Sequence, residues 1–379
     1  MIGLDMSSAT FAVDPRKPLT ELTFASAREA TKAIEAAIDR MDLRRWFWGE
    51  GVCVQALVRA SAARGEVSHL AARYLDTNVS TQPTIEHVNN LVSAASAVTL
   101  YEQTRNGDYR RLAEQALSWF ESSPLATRGP RNVLEHWPGG VWADTTYMAG
   151  SFLLQYGRVF DRIDLMEEAA RQWLEHAELL TVDTGGLFVH GTHAGQAIEC
   201  FWGRANAWMA MSAIDILRFA PGIAGTDHIR QRVAQQLIAL AELQPDHGAW
   251  DVLVEGNLET KGILETSATA GIGAAMLRFD QLYANPVIRK SGDLAVRSAL
   301  AYVENGVLKR TSAGTVLQLI PFGYSVIRDD RIQPWGQALA LEAVTAAIEA
   351  MGAASSATSS PEQQRGSATD QLADGGQRP

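Results

Sequence analysis

The sequence predicts an all-α protein folded as an (α/α)6 barrel, a toroid of inner and outer helices, and three patterns predict it. Apolar residues recur at helical spacing along almost the whole chain, with almost no convincing period-2 strand. The helical runs alternate in type, one rich in Gly, Ala and Ser all round and the next carrying a charged face. Together they make six hairpins of about fifty residues, each with one apolar and one amphipathic partner.

Taken in order, residues 1–22 read as a loose arm. The first helix runs from Ser26 to Met41, SAREATKAIEAAIDRM, with Ala30, Ala33, Ile34, Ala37 and Ile38 on one face. Further runs follow at 49–64, 67–77, 86–104, 107–121, 143–159, 163–180, 201–219, 227–244, 265–283, 286–305 and 335–351. The even-numbered runs hold segments such as GVCVQALVRASAA, GRANAWMAMSAID and TSATAGIGAAM, whose small side chains suit helices buried on every side. The odd-numbered runs, such as RIDLMEEAARQWLEHAELL from Arg162, suit an outer layer. Gly186 to His190 and Thr315 to Ile320 read as short hairpin pieces in the connections. The barrel domain therefore spans 23–351. Residues 352–379 are rich in Ser, Ala, Gly and Gln without apolar spacing and read as a disordered low-complexity tail.

With 379 residues, 46% hydrophobic and 20% charged, the chain can bury a large core. A net charge of −10 disfavours nucleic acid and anionic membrane as partners, because such a surface repels phosphate. An anionic ligand would need local Arg, Lys or His residues to capture it. Cys53 and Cys200 stand far apart with no CxxC or Cys/His cluster, so neither a disulfide framework nor a zinc site is expected. The first residues lack a basic region followed by an apolar run, and no stretch of about twenty apolar residues offers a bilayer span. The expectation is a soluble, cytoplasmic protein without a cofactor.

Each inner helix begins with an unusual segment: WFWGEGV, TIEHVNN, WADTTYM, FWGRANAW, LETSATAG and QPWGQAL. In a toroid of antiparallel hairpins all six starts converge on one mouth, which the longest connections (122–141, 181–200, 245–264 and 306–333) also border. The expected product is a wide aromatic cleft with carboxylates on its floor. Asp144, in HWPGGVWADTTYMAG from His136, is the prime catalytic candidate. Its plain alternative is an N-cap, but a cap needs neither Trp142 nor His136 in the same loop. Glu86 opens another inner run, where it would serve as a helix-dipole partner or pair with Asp144 to keep one acid protonated. Arg204 either bridges to a core carboxylate or points into the cavity to clamp an anion. His190 and His193 form a pair without a third ligand, so no metal is expected. Trp46, Trp48, Trp250 and Trp335 stand near helix starts, where they favour a cleft lining over plain core.

At WADTTYMAG, with WFWGEGV before it and GLFVHG and FWGRANAW after, the chain resembles glycoside hydrolase families 88 and 105, the unsaturated glucuronyl and rhamnogalacturonyl hydrolases. The likeness runs in order from about Trp46 to about Ala347. It implies an (α/α)6 barrel, no metal, and a substrate bearing a 4-deoxy-Δ4,5-uronic acid at the non-reducing end of a lyase-made oligosaccharide. It further implies that Asp144 protonates C4 of the vinyl ether and then helps water add at C5. Glu86 falls where the families usually hold an aspartate. His136, Trp142, His190, Arg204 and Trp208 match positions that hold the sugar and its carboxylate. HGTH replaces a more usual histidine-glycine-tryptophan run, and the loops before Asp144 and before Arg204 are short. A wider or shallower cleft is expected from those departures.

Two other readings stay open on the residues themselves. One is another enzyme on the same toroid: an inverting glycosidase with two carboxylates about 6.5–9.5 Å apart, or a sugar epimerase using His190 and His136. The other is a non-catalytic carbohydrate-binding protein, supported by the glutamate at position 86. Fold alone does not choose among them.

Overall fold

The computed structural model describes residues 16–182 and 185–358. Among these, twelve α-helices carry nearly all the regular structure: α1 (Phe24–Asp39), α2 (Trp48–Ala62), α3 (His69–Thr81), α4 (Leu91–Thr104), α5 (Gly107–Ser122), α6 (Asp144–Val159), α7 (Ile163–Leu179), α8 (Gly203–Phe219), α9 (Thr226–Glu242), α10 (Thr266–Tyr283), α11 (Pro286–Ala301) and α12 (Pro334–Thr358). The even-numbered helices form a closed ring: α2 packs on α4, α4 on α6, α6 on α8, α8 on α10, α10 on α12, and α12 returns to α2. Outside it, α3, α5, α7, α9 and α11 pack on the inner helices that precede them, and α1 packs on α12. The fold is an (α/α)6 toroid.

Side-chain size explains which helix goes where. Every residue of α10 from Thr266 to Phe279 is buried, and seven of those fourteen are Gly, Ala or Ser. Helices with bulkier surfaces could not approach two ring neighbours and an outer helix at once. Outer helices bury one stripe, as α7 does with Leu165, Ala169, Trp173 and Ala177. Four of the six outer helices start with side-chain caps: Thr23 with Ser26 for α1, Ser68 for α3, Asn106 for α5 and Asn285 for α11. By length and composition α12 could cross a membrane. Its apolar character has another cause, since it is an inner helix between α10 and α2.

The far ends of the inner helices are tied by ion pairs. Arg59 of α2 reaches Asp215 of α8 and Glu342 of α12. Arg278 of α10 meets Glu342 at 2.6 Å and Glu349 at 3.1 Å, and Arg218 joins Glu349 at 3.2 Å. Three of the four helices concerned present their C-terminal halves here, where guanidinium groups offset the negative ends of the helix dipoles.

Several local expectations change. The hairpins lie at Thr192–His193 with Gln196–Ala197 and at Val303–Glu304 with Val307–Leu308, so Gly186–His190 and Thr315–Ile320 are irregular. The run at 86–104 splits into a 3-10 turn at Val88–Asn90 and then α4, leaving Glu86 outside any helix. Asn90 causes the split: its Oδ1 accepts the backbone N–H groups of Glu86 and His87, which draws the chain into a turn. At the N-terminal side, residues 16–22 are docked by Thr20, whose backbone bonds Arg297. Residues 1–15 of the expected arm lie outside the described residues. α12 runs to Thr358, past the expected boundary at 351, and the remainder of the expected tail is likewise outside them.

Two inner-helix glycines make opposite predictions. A Cβ on Gly51 would stand 2.8 Å from Val92 Cγ1 and 3.0 Å from the Ser93 backbone nitrogen, so α2 needs glycine to approach α4. A Cβ on Gly150 of α6 would meet nothing within 4 Å. Gly51→Ala should therefore destabilise by about 1–3 kcal/mol, and Gly150→Ala should stabilise by up to about 1 kcal/mol. Urea melts of the two variants check this, and equal signs would contradict the packing described.

Candidate active site

All six inner-helix starts meet at one mouth, and two connections are joined there. The connection from α5 to α6 brings His136, Trp142 and Ala143. The connection from α7 to α8 brings His190. Ala143 N–H donates to the His190 carbonyl at 3.0 Å, His190 N–H donates to the Cys200 carbonyl at 3.0 Å, and Thr192 N–H donates to the Val141 carbonyl at 2.8 Å. Gly191 allows this closeness, because a Cβ there would stand 2.7 Å from Trp142 Cδ1 and 2.9 Å from the Val141 carbonyl.

Asp144 is the first residue of α6, and the N-cap is Ala143, which makes no side-chain capping bond. The Asp144 carboxyl instead turns to His190, with Oδ2 3.2 Å from Nε2. Asp144 is 9% exposed and His190 fully buried, so the surroundings of the acid are tighter than the wide cleft expected. His190 Nδ1 lies 2.8 Å from the Tyr324 hydroxyl, and Trp202 packs on the imidazole at 4.4 Å between centroids. His136 stacks on Trp142 at 4.4 Å with 12° between planes, and Trp142 stands 5.3 Å from the His190 ring. Asn89 Nδ2 donates to His136 Nε2 at 3.3 Å, so the proton sits on Nδ1 and is given to Thr145 Oγ1 at 3.1 Å.

Burial pushes the Asp144 carboxyl up, but the hydrogen bond and charge of His190, then His136 and Arg204, bring it net below its ordinary value. The expected raised acid, sustained by Glu86, is thus corrected: the groups bearing on Asp144 are basic. Glu86 makes its backbone bond to Asn90, and the neighbours that enter the site from its segment are Asn89 and His87. Burial pushes His136 down to about 3 and also lowers His87, so both rings are neutral near pH 7.

The other candidates divide. Arg204 is fully buried, with Nη1 donating to Ser312 Oγ at 2.7 Å and Nη2 to the Ala313 carbonyl at 2.8 Å. Its guanidinium lies 4.4 Å from the Trp202 ring and 3.7 Å from Glu265. In this geometry it is a strut that holds the 306–333 connection to α8 and bridges to the core carboxylate of Glu265, while its Nε has no hydrogen-bond partner among the described residues. Trp208 is fully buried against Tyr147 of α6. Trp250 is core, its indole N–H donating to the Leu240 carbonyl. Trp46 is buried on Tyr74, whereas half-buried Trp48 stacks on Trp335 at 4.4 Å and remains at the rim. His193 is exposed on its hairpin, apart from buried His190. Sequence reasoning missed Tyr324, Trp202, Asn89 and Ser312. Trp202 and Asn89 lie inside quoted helix-start segments; Tyr324 and Ser312 come from an aperiodic connection with no such signal.

A family model described as Glycosyl Hydrolase Family 88 matches residues 25–351. The unsaturated rhamnogalacturonyl hydrolase YesR of Bacillus subtilis is 29% identical over 333 residues, 83% of this chain and 93% of that protein. A possible GH105 member from Salmonella enterica serovar Paratyphi A superposes with a TM-score of 0.78 at 22% identity, covering 88% of this chain and 96% of its own. The unsaturated glucuronyl hydrolase of Bacillus sp. GL1 superposes with a TM-score of 0.65 at 15% identity, covering 85% and 96%.

The buried imidazoles set a pH dependence of stability. His136 and His176 are lowered by burial from 6.5 to about 3 and about 4. Between those values and 6.5 the unfolded chain binds more protons than the folded one, so stability is complete above 6.5 and falls as pH drops through the window. Each group can contribute up to about 1.4 kcal/mol per pH unit. Melting temperature should fall from pH 7 to pH 5, and less steeply in His136→Gln. An equal slope in that variant would show that His136 is not the buried neutral group described.

Proposed function

The chain belongs to glycosyl hydrolase family 88, and on that premise we propose that it removes a 4-deoxy-Δ4,5-unsaturated uronic acid from the non-reducing end of lyase-generated oligosaccharides. The observation that carries this reading is the buried carboxyl of Asp144, held by His190 among basic neighbours at the start of α6; buried Glu265, at the start of α10, is instead taken up by Ser267 Oγ and by the Ala268 and Ser312 N–H groups. A vinyl ether is a weak base, so one positioned acid must deliver a proton to carbon, and a second carboxylate at nucleophile distance has no task.

In the proposed reaction Asp144 gives its proton to C4, leaving positive charge shared between C5 and the ring oxygen. Water adds its oxygen to C5 and returns a proton to Asp144. The resulting hemiketal opens to a ketone, and the hemiacetal at C1 then releases the attached sugar. Asp144 lies below the ordinary carboxylate range in the free site, so it must be loaded on binding. The substrate's own carboxylate does this: a second negative charge, in a site emptied of water, favours the protonated acid. The dipoles of the inner helices attract that carboxylate locally against the net charge of −10. Trp48 and Trp335 at the rim offer flat apolar faces to sugar rings. An epimerase using His136 as its base fits less well, because both its nitrogens are engaged by Thr145 and Asn89 and its pKa is about 3.

The test is loss of near-ultraviolet absorbance from a panel of lyase-made unsaturated disaccharides, with Asp144→Asn alongside. Wild type should consume at least one member, and the folded variant should be slower by about 10²–10⁴-fold. Full activity in Asp144→Asn would remove the assignment of the acid. Cleavage of a saturated uronide in place of the unsaturated panel would overturn the reaction.

A further inference from the structure

Tyr324 stands beside the acid pair, and the reaction above gives it no task. It closes a short 3-10 turn, Pro321–Tyr324, in the connection before α12. Its neighbours Leu319, Ile320 and Phe322 are exposed, whereas Tyr324 is buried with its ring 5.6 Å from His190 and 5.9 Å from Trp202. The segment is fastened on both sides: the Phe322 N–H donates to Glu259 at 3.1 Å, and Ser312 and Ala313 are bonded to Arg204. Inside it, Gln318 N–H donates to the Tyr324 hydroxyl at 3.2 Å, and that hydroxyl lies 2.8 Å from His190 Nδ1. Asp144, His190, Tyr324 and Gln318 thus form one line of hydrogen bonds from α6 to the strap before α12.

We infer that Tyr324 is a positioning residue for the acid: its hydroxyl, bonded to the His190 nitrogen that faces away from Asp144, keeps the imidazole aligned in both protonation states of the Asp144–His190 pair. The inference rests on the proposed role of Asp144. A hydroxyl both donates and accepts. With one lone pair taken by Gln318, it gives its proton to Nδ1 when the imidazole is neutral and its Nε2–H points at Asp144. It offers its other lone pair to Nδ1–H when the ring carries two protons. A backbone carbonyl would serve only the second state, and a phenyl ring serves neither. An unpaired N–H on a buried cationic ring costs more than an unpaired neutral nitrogen. The hydroxyl therefore favours the pair that holds the extra proton.

The other charged or titratable groups around this line are His136, from the loop before α6, and Arg204 of α8, which face Asp144. Cys200 and Glu255, from the connections before α8 and α10, face Tyr324. Burial pushes Glu255 up to about 7, so its own ionisation falls in the working range and needs a control.

Tyr324→Phe keeps the ring and removes the hydroxyl. Against the most reactive unsaturated disaccharide, the alkaline limb of kcat/KM should move to lower pH by about one unit, a tenfold loss on that side. The same displacement should appear when Tyr324→Phe is compared with Tyr324 in a Glu255→Gln background. In ¹⁵N-histidine NMR at one fixed pH without substrate, the His190 Nδ1 signal should shift in Tyr324→Phe as it loses the hydroxyl 2.8 Å away, a readout independent of turnover. A uniform loss at every pH with an unmoved limb and unmoved His190 signals would overturn the inference and leave Tyr324 as packing. A wild type inert on every unsaturated disaccharide would count against the proposed reaction, and the NMR comparison would still decide what the hydroxyl does.

Discussion

The active-site end of this barrel depends on one backbone hydrogen bond, from Ala143 N–H to the His190 carbonyl. It fastens the residue before Asp144 to the residue that pairs with Asp144, so acid and partner cannot drift apart without breaking main-chain contacts. Gly191 is required for that closeness, and the Trp142 ring, stacked on His136 and tilted against His190, fills the space around it. The carboxyl and imidazole are thereby held by backbone and packing before any ligand arrives, which is what the proposed role of proton donor to a weakly basic carbon needs.

The ring of inner helices supplies the remainder of the site. Because their small side chains let six helices close on one another, six N-termini reach the same mouth and favour an anion there, while arginines balance the other end. The charge pattern around Asp144 follows from this placement. Basic neighbours lower it in the free site, and in the proposed reaction the substrate's carboxylate reverses the balance. The buried arginine at the mouth, Arg204, contributes through structure, tying the strap that carries Tyr324 to the start of α8.

Much of this was legible in the sequence, for physical reasons. A helix surrounded on all sides must be made of small residues, so the alternation of inner and outer helices showed in composition. Asp144, Trp142 and His136 stood out because one short loop holds them all. Glu86 was misplaced because the Asn90 side chain, four residues on, bends the backbone away from helix. The family resemblance put Trp208 among the residues that hold the sugar, yet an inner helix also buries the faces toward its ring neighbours, and Trp208 lies against α6. Tyr324 left no local trace. Its role comes from a contact across 134 positions, and neither periodicity nor spacing in the 306–333 connection encodes that.

The central claim is that Asp144 protonates carbon. It is tested most directly by following an unsaturated disaccharide by proton NMR in D₂O at early times. The account predicts that the vinyl C4–H signal disappears in step with release of the attached sugar, with deuterium entering C4. Release of that sugar while the vinyl signal persists in the freed uronate would mean direct cleavage of the glycosidic bond, and would contradict it.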